Sequence, residues 1–345
     1  KTQTLFVGIN QKLCQVSLSF RYKQAGQITE TNQLSFLAIY IPKQYFTSTM
    51  NMEPQMYTAL VAVDGEFTAQ LNGALLQQIE QCEKPIFVCV SGTFRAGKSC
   101  KANQLVHGRA GTRDAAQPFP SAVNHQSHTK GLMFYGPIKY ETFLRTHYID
   151  HEQGAKATDV WIVDTEGLDV ARSRRSKYLF QSLLSFMPFF DFSVVVQSSP
   201  INTAMLLPIK NIKEISSLLA PTHQKPIWTI LYCGFQFTMM QIQNANQNAV
   251  KMMLEEADEL FQETANEVKF EVAVVSFPHN ALQEEAFEEA YWGQMHALTT
   301  QFHTKILMGK GRSGSEFAAD VRATFERIVN NFPDPKWSSI VQDNQ

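Results

Sequence analysis

The chain has 345 residues, 44% of them hydrophobic, with 30 Lys and Arg set against 32 Asp and Glu. That length buries a full core and fits one large α/β domain with an attachment, so two independent domains are not required. The formal net charge of -2 excludes the broad positive field on which nonspecific nucleic-acid binding relies, so no nucleic-acid partner is expected.

In chain order, residues 1–56 carry β-rich runs at Thr4 to Gly8, Gln15 to Tyr22 and Leu34 to Ile41. Val, Ile and Phe among small polar residues suit pleated strands, and this part reads as an N-terminal extension to a domain spanning 57–345. From about residue 58 apolar strands alternate with helical stretches, the pattern of a mainly parallel central sheet flanked by helices. The predicted strands are Pro85 to Val90, Gly131 to Ile138, Asp159 to Val163, Phe192 to Val196, Ile227 to Tyr232 and Glu271 to Phe277. Apolar residues at helical spacing predict helices over Leu71 to Ile79, Ser99 to Val106, Lys177 to Phe186, Ile209 to Leu219 and Ala249 to Glu267. Two more, Leu282 to Ile306 and Ser315 to Asn330, close the pattern before Pro333 and Pro335. The first of these reads as an amphipathic helix packed on the sheet.

Cys14, Cys82, Cys89, Cys100 and Cys233 are odd in number and form no C-x-x-C pair, which argues for a reducing, cytoplasmic setting over disulfides or zinc. The most apolar stretch, Tyr178 to Val196, is interrupted by Gln181, Pro188 and Asp191 and reads as a buried helix followed by a core strand. The chain opens at Lys1 without a signal-peptide pattern, and a piece of a longer protein is expected.

One motif carries chemistry outright. Gly92-Thr93-Phe94-Arg95-Ala96-Gly97-Lys98-Ser99 matches G-x-x-x-x-G-K-[ST], with an apolar strand running into it and a helical pattern leaving through Cys100. In that context a glycine-permitted turn points backbone N–H groups at phosphate oxygens from a helix N-terminus. Lys98 then reaches the outer phosphates and the Ser99 hydroxyl ligates Mg²⁺. Downstream come Gln126-Ser127-His128-Thr129-Lys130-Gly131 and Val160-Trp161-Ile162-Val163-Asp164-Thr165-Glu166-Gly167-Leu168. Phosphate loop, threonine loop and D-x-x-G in that order suit a nucleoside-triphosphate switch. Thr129 completes the Mg²⁺ shell beside Ser99, Asp164 holds a metal-bound water, and the Gly167 N–H meets the γ-phosphate.

A loop of the form G-x-[FY]-R-x-G-K-S followed by QSHTKG and DTEGL resembles the guanylate-binding proteins and the related atlastins, over roughly residues 58 to 330. The resemblance implies a P-loop GTPase fold in a dynamin-like large GTPase, with Mg²⁺ as cofactor, GTP as substrate and a nucleotide-dependent homodimer. It implies that Arg95 is an internal arginine finger, Ser127 positions the attacking water, and Glu166 is the acidic residue of the second switch. Without the family pattern, Arg95 reads equally as a solvated loop residue.

The family's guanine-reading Arg-Asp pair has no counterpart. Trp228-Thr229-Ile230-Leu231-Tyr232-Cys233-Gly234-Phe235 stands in its place, with Tyr232 or Cys233 at the aspartate position. Neither side chain is a carboxylate that accepts two N–H bonds from guanine. Ser276-Phe277-Pro278-His279-Asn280 resembles the family's base-capping loop.

Weaker signals remain. His147 and His151, with Asp150 between them, have an i,i+4 spacing open to metal but read as solvated polar residues. Arg172, Arg174, Arg175 and Lys177 form either a solvated loop or a state-dependent partner surface. With neither a spanning segment nor a lipidation signal, membrane contact is expected only through regions outside this chain. The functional alternatives to a GTPase are a relaxed-specificity NTPase and a catalytically quiet nucleotide-binding interaction module. A P-loop kinase fits less well, since no phosphate-acceptor site is visible.

Overall fold

The computed structural model describes residues 6–10, 13–19, 53–63, 66–92, 96–111, 116–120, 129, 131–150, 157–167, 174–197, 227–232, 270–274, 285–308 and 311–331. The chain divides into two compact units, Lys1–Met52 and Glu53–Gln345. In the first, β1 (Phe6–Asn10) and β2 (Leu13–Ser19) pair antiparallel with Phe6 opposite Ser19. The predicted strand Leu34 to Ile41 lies outside the described residues, as do the predicted helices Ile209 to Leu219 and Ala249 to Glu267.

The second unit is organised by a seven-stranded sheet. Its strands are β3 (Gln55–Thr58), β6 (Pro85–Gly92), β7 (Leu132–Lys139), β8 (Asp159–Thr165), β9 (Phe192–Gln197), β10 (Ile227–Tyr232) and β11 (Phe270–Val274), in the spatial order β11-β10-β9-β6-β8-β7-β3. The five from β11 to β8 are mutually parallel, whereas β7 runs antiparallel to β8 and β3 antiparallel to β7. The sheet is thus mainly parallel, as read from the sequence, with an antiparallel edge that apolar content alone does not reveal. Outside the sheet, β4 (Leu60–Val63) and β5 (Glu66–Leu71) form an antiparallel pair that the sequence pattern missed.

All eight residues of β6 are buried, and period two sorts its side chains between two cores. Ile86, Val88 and Val90, with Val160 and Ile162 of β8, pack with Ala102 and Leu105 of α2 (Lys98–Gly111) and Tyr140, Phe143 and Leu144 of α3 (Tyr140–Thr146). This layer is closed by α5 (Glu285–Met308), which contributes Tyr291, Met295, Leu298 and Phe302 at helical spacing and sets Phe302 tilted against Phe192 with ring centres 4.5 Å apart. On the opposite face, Phe87 stacks on Phe317 of α6 (Gly314–Asn331) at 3.9 Å, and Phe134 meets Phe186 of α4 (Arg174–Phe186) at 5.1 Å. The stretch predicted as buried helix and core strand is α4, a 3₁₀ turn Met187–Phe189, and β9.

Boundaries follow from local chemistry. The helix predicted from Leu71 starts two residues later as α1 (Gly73–Glu80), because Asn72 caps it: its Oδ1 accepts from the N–H groups of Ala74 and Leu75 at 3.1 and 3.3 Å. Cys82, Cys89 and Cys100 are free thiols, and burial pushes Cys89 well above the usual thiol range and Cys82 up to about 12. Both are inert packing residues. No described helix is long and apolar enough to cross a membrane.

Where β9 begins, Asp191 bonds β6 twice: its Oδ2 accepts from Phe87 N–H at 2.8 Å and its own N–H donates to Phe87 C=O at 3.1 Å. Burial pushes its carboxyl from 3.8 to about 6, against the opposing pull of the Phe87 N–H and the Arg312 guanidinium. The folded state therefore holds this proton more tightly than the unfolded chain, so the stability it supplies is complete below pH 3.8 and is lost as pH rises through about 6. Asp191→Asn should remove that slope. Urea unfolding at pH 4.5 and 7.5 is expected to show the variant gaining stability relative to the parent at the higher pH, by at most about 3 kcal/mol. A pH-independent difference between the two proteins would refute it.

Candidate functional site

The carboxyl ends of all five parallel strands lie along one edge of the sheet, and the sequence-predicted site residues gather there. β6 ends at Gly92, whose φ of +139° lies in the range that favours glycine. Gly92 faces Val196 across the β6/β9 pairing so closely that a Cβ would sit 2.1 Å from the Val196 carbonyl oxygen. The turn closes at Gly97, again with positive φ (+85°), and its carbonyl accepts from the Lys101 N–H at 3.0 Å to begin α2. Ala96 and Lys98 are buried there, while Thr93, Phe94 and Arg95 lie outside the described residues.

Three oxygens meet beside the start of α2. Asp164 Oδ2 accepts from the Ser99 hydroxyl at 2.7 Å and from the Thr129 hydroxyl at 2.7 Å, and those two hydroxyl oxygens are 3.0 Å apart. Asp164 is fully buried, which pushes its carboxyl up, while the two hydroxyl donors and the Lys98 charge pull the other way. The triangle has three contacts but only two hydroxyl protons. If both hydroxyls donate to Asp164, the Ser99–Thr129 edge sets lone pair against lone pair, an arrangement that a cation relieves. The other oxygen, Asp164 Oδ1, is buried and accepts no hydrogen bond among the described residues.

This donor set fits Mg²⁺. All of it is hard oxygen, and two adjacent ligands of an octahedral Mg²⁺ at about 2.0–2.1 Å are separated by about 2.9 Å, close to the observed hydroxyl spacing. Among the described residues no cluster of three His, Cys, Asp or Glu side chains offers a competing metal site.

The antiparallel edge brings Thr129 here. Leu132 pairs with Thr165 and Met133 with Asp164, so the chain entering β7 passes beside the chain leaving β8. Glu166 fastens the two: its N–H donates to the Gly131 carbonyl at 2.8 Å and its Oε2 accepts from the Gly131 N–H at 2.9 Å. Glu166 is buried in doing so, and Gly167 follows it into the interior. Tyr232 ends β10, two strands from β6 at the same sheet edge. Ser127, Cys233 and the Ser276 to Asn280 loop lie outside the described residues.

Sequence reasoning overlooked the polar residues that seat α2. Lys101 Nζ donates to the Tyr291 hydroxyl at 2.6 Å and lies 4.3 Å over its ring, and that hydroxyl donates to Gln104. Asn103 bonds the backbone of Phe119. A buried polar stripe one turn below Lys98 was the available signal, disguised as an ordinary solvated helix face. The reading of His147 as solvated is corrected: it is buried, Nε2 donates to the Leu105 carbonyl at 2.8 Å, and its ring lies 4.7 Å from Phe143. Burial pulls its pKa down, and it ties the end of α3 to α2. His151, Arg172 and the side chains of Arg174, Arg175 and Lys177 lie outside the described residues.

A mainly parallel sheet whose central strand turns through two glycines into a helix opening Lys-Ser, opposite a buried aspartate on the next strand, defines a P-loop nucleotide-binding domain. Residues 66–219 match the family model described as guanylate-binding protein, N-terminal domain, so over that stretch the resemblance carried by the phosphate loop, the threonine loop and D-x-x-G is shown, and it supports a GTP-binding domain. The match ends before Tyr232. No curated protein matches the chain. Among solved structures, the G domain of the T. maritima FeoB iron transporter aligns with 15% identity over 60% of this chain and 98% of that one, at a TM-score of 0.28, too low to carry an argument.

The two loop glycines should respond differently to substitution. Gly92→Ala forces a Cβ into the Val196 carbonyl at a positive φ and is expected to cost more than about 2 kcal/mol in urea unfolding. Gly97→Ala, with nothing within 4 Å of its Cβ, meets backbone strain alone, about 1–2 kcal/mol. Equal losses would show that the β6/β9 approach is not the constraint.

Proposed function

We propose that the chain is a Mg²⁺-dependent GTP-hydrolysing domain that dimerises through its nucleotide face. The observation that carries the reading is the Ser99–Asp164–Thr129 triangle at the head of α2, with Asp164 and Thr129 buried and Ser99 half-buried, short of one proton. Ser99 and Thr129 would hold the metal by their hydroxyl oxygens, and Asp164 would hold its water. Mg²⁺, when bound, offsets charge on the β- and γ-phosphate oxygens.

The remaining roles belong to the chain itself. Backbone N–H groups at the head of α2 and the Lys98 ammonium bind the phosphates. Ser127 orients a water for in-line attack on the γ-phosphorus. As the bond to the bridging oxygen breaks, GDP and inorganic phosphate form, and Arg95 neutralises charge accumulating on the transferred group. Glu166 acts on this arrangement through Gly131, holding the threonine loop against the D-x-x-G turn. Positioning and electrostatics suffice for such a reaction because it needs little covalent chemistry from the protein.

A second reading, a relaxed-specificity NTPase, is favoured by one observation: the Trp228 to Phe235 segment contains neither Arg nor Asp. Phosphate release with Mg²⁺ and GTP or ATP separates the two. The expected result is GTP-selective release, abolished by chelation and by Lys98→Ala, and reduced at least tenfold in Thr129→Ala. Equal rates with ATP would establish the relaxed enzyme, and release unaffected by Lys98→Ala would remove both. An unchanged molecular mass in light scattering with a triphosphate analogue would exclude the dimer.

A further inference from the structure

Ser99 and Asn103 stand four positions apart on α2, hence on one face and about 6 Å apart along the axis. Each holds a different end of the same stretch of chain. Ser99 meets Thr129. Asn103, only 1% exposed, pairs with both backbone groups of Phe119: its Nδ2 donates to the Phe119 carbonyl at 2.8 Å and its Oδ1 accepts from the Phe119 N–H at 2.9 Å. The same Nδ2 donates to Gln117 Oε1 at 3.2 Å. Phe119 itself is fully buried, its ring edge-on to Tyr135 of β7 at 6.2 Å. A side-chain amide thus takes the place of a strand partner for a residue that belongs to no strand.

Resting on the GTPase reading above, we infer that Asn103 is a positioning residue for the nucleotide site: it pins the first stem of the segment 119–129 to the phosphate-loop helix, one turn from where Thr129 must meet Ser99 and Asp164. Without the clamp, the sequence separation between Thr129 and the nearest preceding hold on α2 rises from 10 residues, counted from Phe119, to 18, counted from the end of α2 at Gly111. Loop closure scales as the three-halves power of length, so bringing Thr129 to the site becomes about two- to threefold less favourable. Loss of the Phe119 backbone partners adds to this, because buried N–H and C=O groups left alone seek other arrangements. On the GTPase reading Thr129 also meets the metal of the triphosphate complex, so the effect falls on that state. Phosphate binding by the α2 N-terminus is spared.

The test is a difference between two nucleotides. In full-length Asn103→Ala, affinity for GDP should stay within twofold of the parent. Affinity for a non-hydrolysable GTP analogue and kcat should each fall at least two- to threefold. Asn103→Gln keeps both amide functions on a stem one methylene longer and should lie between Ala and the parent, which preserves the test if the alanine variant does not fold. A lowered Tm with the ratio of GTP-analogue to GDP affinity unchanged would reduce Asn103 to a purely structural residue and overturn the inference. A parent protein that neither binds the analogue nor releases phosphate would instead overturn the GTPase reading and this inference with it. A parent that turns over normally isolates failure of the clamp alone.

Discussion

A buried carboxylate is costly unless donors surround it, and Asp164 is the point on which this molecule's organisation turns. It stands next to last on β8, on the face covered by α2, and finds its donors on two other segments, Ser99 and Thr129. Neither segment can shift without leaving charge or a polar atom stranded in the interior. The same three groups share two protons among three contacts, so the arrangement that satisfies folding leaves one contact without a proton. If the proposed cation binds there, it biases an arrangement already present, which suits a switch.

The sheet's mixed polarity is what makes the triangle reachable. Were β7 parallel to β8, the threonine loop would enter at the opposite edge, a strand length of about 25 Å away. Its antiparallel course puts Gly131 beside Glu166, and their reciprocal backbone and side-chain bonds behave as one more rung of the β7/β8 ladder. On the other flank, Gly92 lets β6 and β9 close without a side chain between them. Bare backbone thus borders the turn into α2 on one side, and a fastened backbone borders it on the other.

Much of this was legible from residues. Pro85 to Val90 is apolar throughout because β6 is buried on both faces, and the glycine, lysine and serine spacing located the turn from β6 into α2 without tertiary information. The order of the three motifs anticipated which segments would meet. Other features have no one-dimensional signature. The direction of β7 depends on how the chain after α2 returns to the sheet, and apolar residues read alike in either direction. The helix α3 has only seven residues, Tyr140 to Thr146, too few for a helical period to stand out, and β4 and β5 are short strands outside the main sheet. His147 looked solvated because its neighbours are polar, whereas its burial comes from α2, which supplies the Leu105 carbonyl 42 positions earlier in the sequence.

The polar residues on α2 also answer a mechanical question. An apolar face alone would hold the helix against the sheet while tolerating small rotations about its axis, because dispersion contacts are numerous and individually weak. Lys101, Asn103 and Gln104 are each buried, and each bonds in a fixed direction: Lys101 and Gln104 to Tyr291 of α5, Asn103 to Phe119. One turn further, the Leu105 carbonyl takes His147 from α3. Directional bonds on three sides fix the helix's rotation, and that rotation decides where the Ser99 hydroxyl points. Apolar substitutes would fill the same space and avoid the desolvation of polar groups, but they would release that constraint. For the phosphoryl transfer proposed above, where placement supplies most of the acceleration, a helix that cannot turn is worth more than a slightly more stable one that can.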